Sequence, residues 1–158
     1  MNTINDWKLW AANFPQVASK DAPYKTPFRV VNKTDNAAEV LIYDSIGKDF
    51  WGEGMAASDF AEILKGINPT AELTIGILSN GGNVSDGIAI SSMIERWQGN
   101  TITRNDGMAA SIASVIFQAG KKRMAAQNSM TMIHKAWGMM VGNADGADKF
   151  AETLRKYD

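Results

Sequence analysis

The sequence of 158 residues contains no cysteine and only one histidine, His134. Thiol catalysis, disulfide bonds and thiolate metal sites are therefore excluded. A metal site that needs several histidines is excluded for the same reason. We expect neither a metal ion nor another cofactor.

The chain also lacks an excess of either charge and a long hydrophobic run. Its 16 basic and 17 acidic residues give a net charge of −1, so no basic field favours nucleic acid or an anionic membrane. The apolar run at 108–117 is interrupted by serines and is too short to span a bilayer. The N-terminus does not have the pattern of a secretory signal. We expect a cytoplasmic protein with no nucleic-acid partner and no membrane partner.

Strand-like and helical patterns alternate along the chain. Strand-like runs cover 28–32, 38–44, 73–79 and 100–105, and "KRMAA" and "MTMIH" follow as two short ones. Helical patterns begin near Ser58, Ser85, Gly107 and Asp145, and we expect Ser58 and Asp145 to cap their helices. The alternation predicts an α/β fold, with a mixed, mostly parallel sheet and packed helices.

The patterning divides the chain into three parts. Residues 1–27 combine an aromatic helix, with Trp7, Trp10 and Phe14 on one face, and a loop punctuated by prolines. We expect the core domain to follow from residue 28, and the resemblance described below places its end at residue 137. Residues 138–158 begin a strand and a helix whose apolar stripe is still in phase at Asp158, so we expect the chain to stop in mid-helix.

Three features could carry chemistry, and each has a simpler structural interpretation. Gly81–Gly82 follows a buried strand and could present a backbone amide, or could be a plain tight turn. Ser111 lies near the start of a helix and could be a nucleophile, or a small residue that allows close packing. His134 ends a short strand and could accept a serine proton, or could be structural.

The order and spacing of these features resemble the ClpP family of serine peptidases. The resemblance runs from about Val40 to Trp137 and rests on "ILSNGG", "DGIAI", "GMAASIAS" and "MIHKAW". The last two motifs, with "YDSIG", Trp51 and "SDFAEIL", are most similar to the phage and prophage branch, which contains head maturation proteases. The resemblance implies a layered ClpP/crotonase-like fold, with a protease core at 28–137 and the start of the handle strand and helix at 138–158.

The resemblance also implies a site and a function. Ser111 would be the nucleophile and His134 its general base, and the amides of Gly82 and Ile112 would form the oxyanion hole. The activity would be that of a serine endopeptidase acting through an acyl-enzyme. It would process phage capsid or scaffold protein and assemble as a homo-oligomeric ring. The stretch around 138–142 would bind the polypeptide substrate by strand addition.

The resemblance leaves one position of the catalytic triad empty. In the family the triad acid follows the long helix after the histidine, and this chain has only 24 residues after His134. Asp145 and Asp148 fit helix-capping roles better, and Asp158 stands at a frayed end. We therefore expect a Ser–His pair without its orienting carboxylate, in a C-terminally truncated form that is weakly active or inactive.

Alternative functions remain open at this point. A crotonase-like acyl-CoA enzyme would share the layered fold and a two-amide oxyanion hole, but would not need the serine and the histidine. A Ser–Lys peptidase would leave His134 idle. A non-catalytic assembly module would use the self-association of the fold and the aromatic N-terminal helix.

Overall fold

The computed structural model of the chain describes residues 28–48 and 54–158. The predicted aromatic helix within residues 1–27, and Trp51, lie outside these described residues. Within the described residues, no helix is both long and apolar enough to cross a membrane.

The described residues form strands and helices in alternation, as the patterns predict. The order along the chain is β1 (Phe28–Lys33), β2 (Ala37–Ile42), β3 (Gly47–Lys48), β4 (Gly54–Met55), α1 (Ala57–Lys65), β5 (Glu72–Ser79), α2 (Val84–Glu95), β6 (Thr101–Ala110), α3 (Ile112–Gln118), β7 (Lys122–Ala125), β8 (Met130–Met132) and α4 (Ala144–Tyr157).

The main sheet has the strand order β1-β2-β5-β6-β7, and β8 also pairs with β6. Only β1 runs antiparallel to its neighbour, so the predicted mixed, mostly parallel sheet is confirmed. The long strand β6 has two partners on one edge. Its first half pairs with β7 through Asn105, and its last three residues pair with β8.

The core lies on one face of this sheet. Alternate residues of β2 and β5, among them Val40, Ile42 and Ile75, are fully buried against the helices. Phe60 of α1 and Ile90 of α2 lie in the same cluster. Burying a side chain of this size stabilises the fold by roughly 1.5–3 kcal/mol. The hydrophobic face of the sheet thereby fixes the positions of α1, α2 and α3.

An ion-pair network crosses the opposite face of the sheet. Arg104 on β6 donates to Asp106 and, at 2.8 Å, to Glu39 on β2. These side chains pass over β5 at Gly76, where a Cβ atom would lie 2.5 Å from an Asp106 carboxylate oxygen. Tyr43 donates to the same carboxylate at 2.8 Å. Burial and the neighbouring Asp106 raise the pKa of Tyr43 above its usual range, so the phenol stays protonated and remains a donor.

Two predicted N-caps and one predicted helix start are wrong. Helix α1 begins with Ala56 rather than Ser58 at its N-cap, and its Ala57 amide donates to Asp86 of α2 at 2.7 Å. Helix α4 is capped by Asn143, which accepts from the Gly146 amide, so Asp145 lies inside the first turn. Residues 107–110 belong to β6, and α3 begins only after Ser111.

Candidate active site

The predicted site residues all lie at one edge of the sheet. Gly81 and Gly82 follow the end of β5, Ser111 follows β6, and His134 comes two residues after β8. These strands are parallel. Their carboxyl ends therefore meet at the same edge, where open α/β sheets commonly bind ligands.

Ser111 occupies a strained turn between β6 and α3. Its φ of 54° and ψ of −129° make it the only non-glycine residue with positive φ among the described residues. Such a conformation costs of order 1–3 kcal/mol and persists only where the surroundings impose it. Ser111 is the N-cap of α3, but its hydroxyl makes no capping hydrogen bond. The hydroxyl is therefore directed away from the helix and left available for another partner.

His134 supplies that partner. Its Nε2 lies 2.8 Å from Ser111 Oγ. The pairing of Ala110 with Met132, and the hydrogen bond from the Ser111 amide to the Met132 carbonyl at 2.8 Å, bring the two chain segments together. A neutral imidazole whose Nε2 accepts from this hydroxyl has the geometry of a general base.

Asn105 is a positioning residue that the sequence patterns did not reveal. It is fully buried at the point where β6 changes partner from β7 to β8. Its side-chain amide donates to the Met130 carbonyl at 3.0 Å and to Thr131 Oγ1 at 3.2 Å. Asn105 thereby holds the first residues of β8 against β6, and with them the strand that leads to His134. Asn105 is in step with the inward-facing Thr101 and Thr103, so no contrast with its strand marks it in the sequence.

The diglycine turn lies against Ser111. Gly81 and Gly82 have φ values of 94° and 145°, which only glycine adopts readily. A Cβ atom on Gly81 would lie 2.6 Å from Ser111 Cβ and 3.2 Å from the Ile112 nitrogen. The turn and the nucleophile candidate are therefore in direct contact.

Ile46 holds this turn in place through backbone hydrogen bonds. No local sequence signal predicts that role for Ile46. Its amide donates to the Gly81 carbonyl at 2.8 Å, and its carbonyl accepts from the Asn83 amide at 2.7 Å. In a parallel pairing of this kind, the amide of the intervening residue, Gly82, points away from Ile46. The Ile112 amide lies in the first turn of α3, where it has no acceptor within its own helix. Both amides are thus available as donors.

The sequence offers three aspartates as possible triad acids. In the described part of the chain, no carboxylate hydrogen-bonds to His134. Asp145 and Asp148 lie on α4, and neither caps that helix. Asp158 is not the loose terminal side chain we expected, because one carboxylate oxygen accepts from the Ala136 amide at 2.8 Å.

Comparison with known proteins identifies the family to which the chain belongs. The family model for Clp protease matches residues 26–158. An ATP-dependent Clp protease proteolytic subunit of Leuconostoc citreum is 28% identical over 154 residues, which cover 94% of this chain and 72% of the relative. A protein of the same description from Bacteroides fragilis is 35% identical over 95 residues, which cover 59% of this chain and 46% of that relative.

The fold has a solved counterpart. A mutant of ClpP1 from Listeria monocytogenes superposes with a TM-score of 0.60 at 26% identity, covering 75% of this chain and 64% of the other. The chain thus spans about two thirds of that structure and less than half of the Bacteroides fragilis relative. The layered α/β fold predicted from the sequence is that of a ClpP protein. Since the family match covers every described residue, this chain belongs to the Clp protease family.

Proposed function

We propose that this chain is a serine endopeptidase in which Ser111 is the nucleophile and His134 the general base. The observation that carries the proposal is the 2.8 Å contact between His134 Nε2 and Ser111 Oγ, made by a serine held in a strained turn. The relatives named above are proteolytic subunits, which accords with it. The family match gives no support to the crotonase-like alternative.

The proposed reaction proceeds in two stages. In the first, Ser111 Oγ attacks the peptide carbonyl carbon while His134 Nε2 takes the hydroxyl proton. The C–N bond then breaks, and His134 returns that proton to the leaving amine. In the second stage His134 removes a proton from water, which attacks the acyl-enzyme. Collapse of the intermediate releases the carboxyl product and restores the Ser111 hydroxyl.

The Gly82 and Ile112 amides form the proposed oxyanion hole. Negative charge develops on the carbonyl oxygen in both stages, and fixed amide donors stabilise it. Removing one such donor in another serine protease costs about 3–4 kcal/mol. The support for this placement is that Gly81, the neighbour of Gly82, lies against both Ser111 and the Ile112 nitrogen.

In the proposed Ser111–His134 pair, no carboxylate of the described residues hydrogen-bonds to the imidazole. In another serine protease, loss of the triad aspartate lowers kcat about 10⁴-fold, because the imidazole is no longer held in the right tautomer. We therefore expect slow peptide hydrolysis by the chain of 158 residues. An activated phosphonate, which carries its own good leaving group, is the more sensitive probe of Ser111.

Covalent labelling tests the proposal. A fluorophosphonate is expected to modify Ser111, identified by peptide mass spectrometry, and Ser111→Ala is expected to abolish labelling. His134→Ala is expected to slow it roughly 10²- to 10⁴-fold, because the general base is lost. Ser129→Ala is the matched control, since that hydroxyl donates only to the Ala126 carbonyl. Unchanged labelling in His134→Ala would favour a lysine base, and labelling of Ser111→Ala at the wild-type rate would refute the assignment.

The proposed substrates are phage capsid or scaffold proteins, met in the cytoplasm of an infected cell. The support is the resemblance of "GMAASIAS" and "MIHKAW" to head maturation proteases. Cleavage of capsid or scaffold protein at a few sites, with casein left largely intact, is the expected result. Equal digestion of both would argue for a general peptidase.

The proposed partner in assembly is a second copy of this chain, in a ring. The support lies in the segment after β8, here called the strap (residues 133–143). Trp137 is 79% exposed and Val141 is 96% exposed, and Ile133 and Met139 are also largely exposed. Helix α4 has no buried residue at all. An apolar surface of this kind usually belongs to an interface.

A further inference from the structure

His134 lies in the strap, which makes few hydrogen bonds of its own. Residues 133–141 belong to no strand or helix, and the His134 side chain is exposed. Two hydrogen bonds flank the histidine at equal distances along the chain. Before it, the Met132 carbonyl accepts from the Ser111 amide at 2.8 Å. After it, the Ala136 amide donates to Asp158 Oδ1 at 2.8 Å.

Asp158 occupies a defined place despite its distance along the chain from His134. Its side chain is 28% exposed, and its second oxygen lies 3.9 Å from Lys135 Nζ. The adjacent Tyr157 hydroxyl is 3.3 Å from Ser85 Oγ in the first turn of α2, the helix that follows Gly82. The end of α4 therefore contacts both the strap that carries His134 and the helix next to the diglycine turn.

We propose that Asp158 is a positioning residue for His134, an inference that rests on the proposed function. A carboxylate that accepts from a backbone amide makes a charge-assisted hydrogen bond, which is shorter and stronger than a neutral one. Together with the Met132 bond, it restrains the strap on both sides of the imidazole. Asp158 acts through the Ala136 backbone and does not touch the reacting atoms.

The geometry predicts how two substitutions differ. Asp158→Ala removes the acceptor, so the strap after His134 is released. Asp158→Asn keeps a carbonyl oxygen that can accept from Ala136, and loses only the charge. A displacement of about 1 Å in a catalytic group can slow a reaction roughly 10²-fold. We therefore expect Asp158→Ala to slow fluorophosphonate labelling of Ser111 roughly ten- to a hundredfold, and Asp158→Asn to stay within about threefold of wild type.

A second readout is independent of enzymatic activity. The chain has one histidine, so the imidazole carbon-bound protons give a single set of signals in an NMR spectrum. Asp158→Ala is expected to shift or broaden these signals, and Asp158→Asn to restore them. Asp148→Ala is the matched control, because it removes a carboxylate from the same helix that forms no ion pair with a described residue. Thermal unfolding of each variant checks that the fold is intact.

The outcomes separate this inference from the function on which it rests. If wild-type Ser111 is not labelled, the proposed function fails, and the His134 signals still decide whether Asp158 positions the imidazole. If Asp158→Ala matches wild type in labelling and in the His134 signals, the positioning role is overturned. It is overturned equally if Asp148→Ala, or Asp158→Asn, produces the same change as Asp158→Ala.

Discussion

Ser111 and His134 make contact, yet the two are held in place very differently. Ser111 stands between a ten-residue central strand and a helix whose Ile112 and Ala113 are buried. His134 lies in an exposed strap, with one flanking hydrogen bond on each side. One member of the pair is fixed by the core, and the other by a few contacts at the periphery.

The difference predicts which substitutions affect stability together with labelling and which leave stability nearly unchanged. A strained φ at Ser111 persists because the sheet, the diglycine turn and α2 surround it, and Gly87 of α2 packs directly on Ile112. The strap has no comparable packing, so small changes far from His134 can move it. We expect substitutions around Ser111 to affect stability and labelling together. Substitutions around the strap should affect labelling or assembly with little change in stability.

The largest effect on labelling is expected from Gly81→Ala, on the Ser111 side. Alanine at a φ of 94° is strained by about 1–3 kcal/mol, and its Cβ would lie 2.6 Å from Ser111 Cβ. Both the free energy of unfolding and the labelling rate should fall, the latter roughly 10²-fold because Ser111 must move. Chemical denaturation and fluorophosphonate labelling measure the two effects.

Gly66→Ala is the matched control for that experiment. Gly66 ends α1 with a negative φ, and an added Cβ would meet its nearest neighbour at 3.4 Å. Alanine should be tolerated there, with a change in stability of at most about 1 kcal/mol in either direction. Wild-type labelling by Gly81→Ala would mean that the turn and Ser111 are not coupled.

A smaller effect on labelling, although a larger one on stability, is expected from Arg104→Leu. The substitution leaves Asp106 and Glu39 without their shared cation, in side chains that are 7% and 18% exposed. Breaking a buried ion pair from one side typically costs about 3–5 kcal/mol. Labelling at a temperature where the variant is folded should change less than in Gly81→Ala. Arg155→Leu, on exposed α4, serves as the control, and equal losses in the two variants would contradict a special role for the buried network.

The sequence predicts the core-facing elements well and the junctions poorly. The run at 73–79 is mostly apolar, so the strand β5 is evident from the residues alone. Residues 107–110 carry only small or flexible side chains. They extend β6 because residues 108–110 pair with β8, which lies 22 positions later in the chain. Ser58 is not the N-cap of α1 for a similar reason, since the Ala57 amide in the first turn donates to Asp86 on another helix.

The candidate site also contains residues that the sequence predicts and residues that it does not. The resemblance singled out Gly82, Ser111, Ile112 and His134 by motif, and the structure brings Ser111 into contact with His134 and with the diglycine turn. Their roles in catalysis stay predictions. Ile46, Asn105 and Asp158 were not found, because each acts through a backbone group distant in sequence. No local pattern encodes a contact of that kind.

The smallest effect on monomer stability is expected from Trp137→Ser, on the strap side of the comparison. Because the indole is 79% exposed, its removal should change the free energy of unfolding by no more than about 0.5 kcal/mol. If the strap is an interface between copies of the chain, the same substitution should shift sedimentation velocity profiles toward smaller species. Lys149→Ser, a polar change on the exposed helix α4, controls for surface changes in general. A Trp137→Ser variant that unfolds much more easily as a monomer would show that the strap is packed against its own subunit. Ser111 and His134 would then both be held by packing within one subunit.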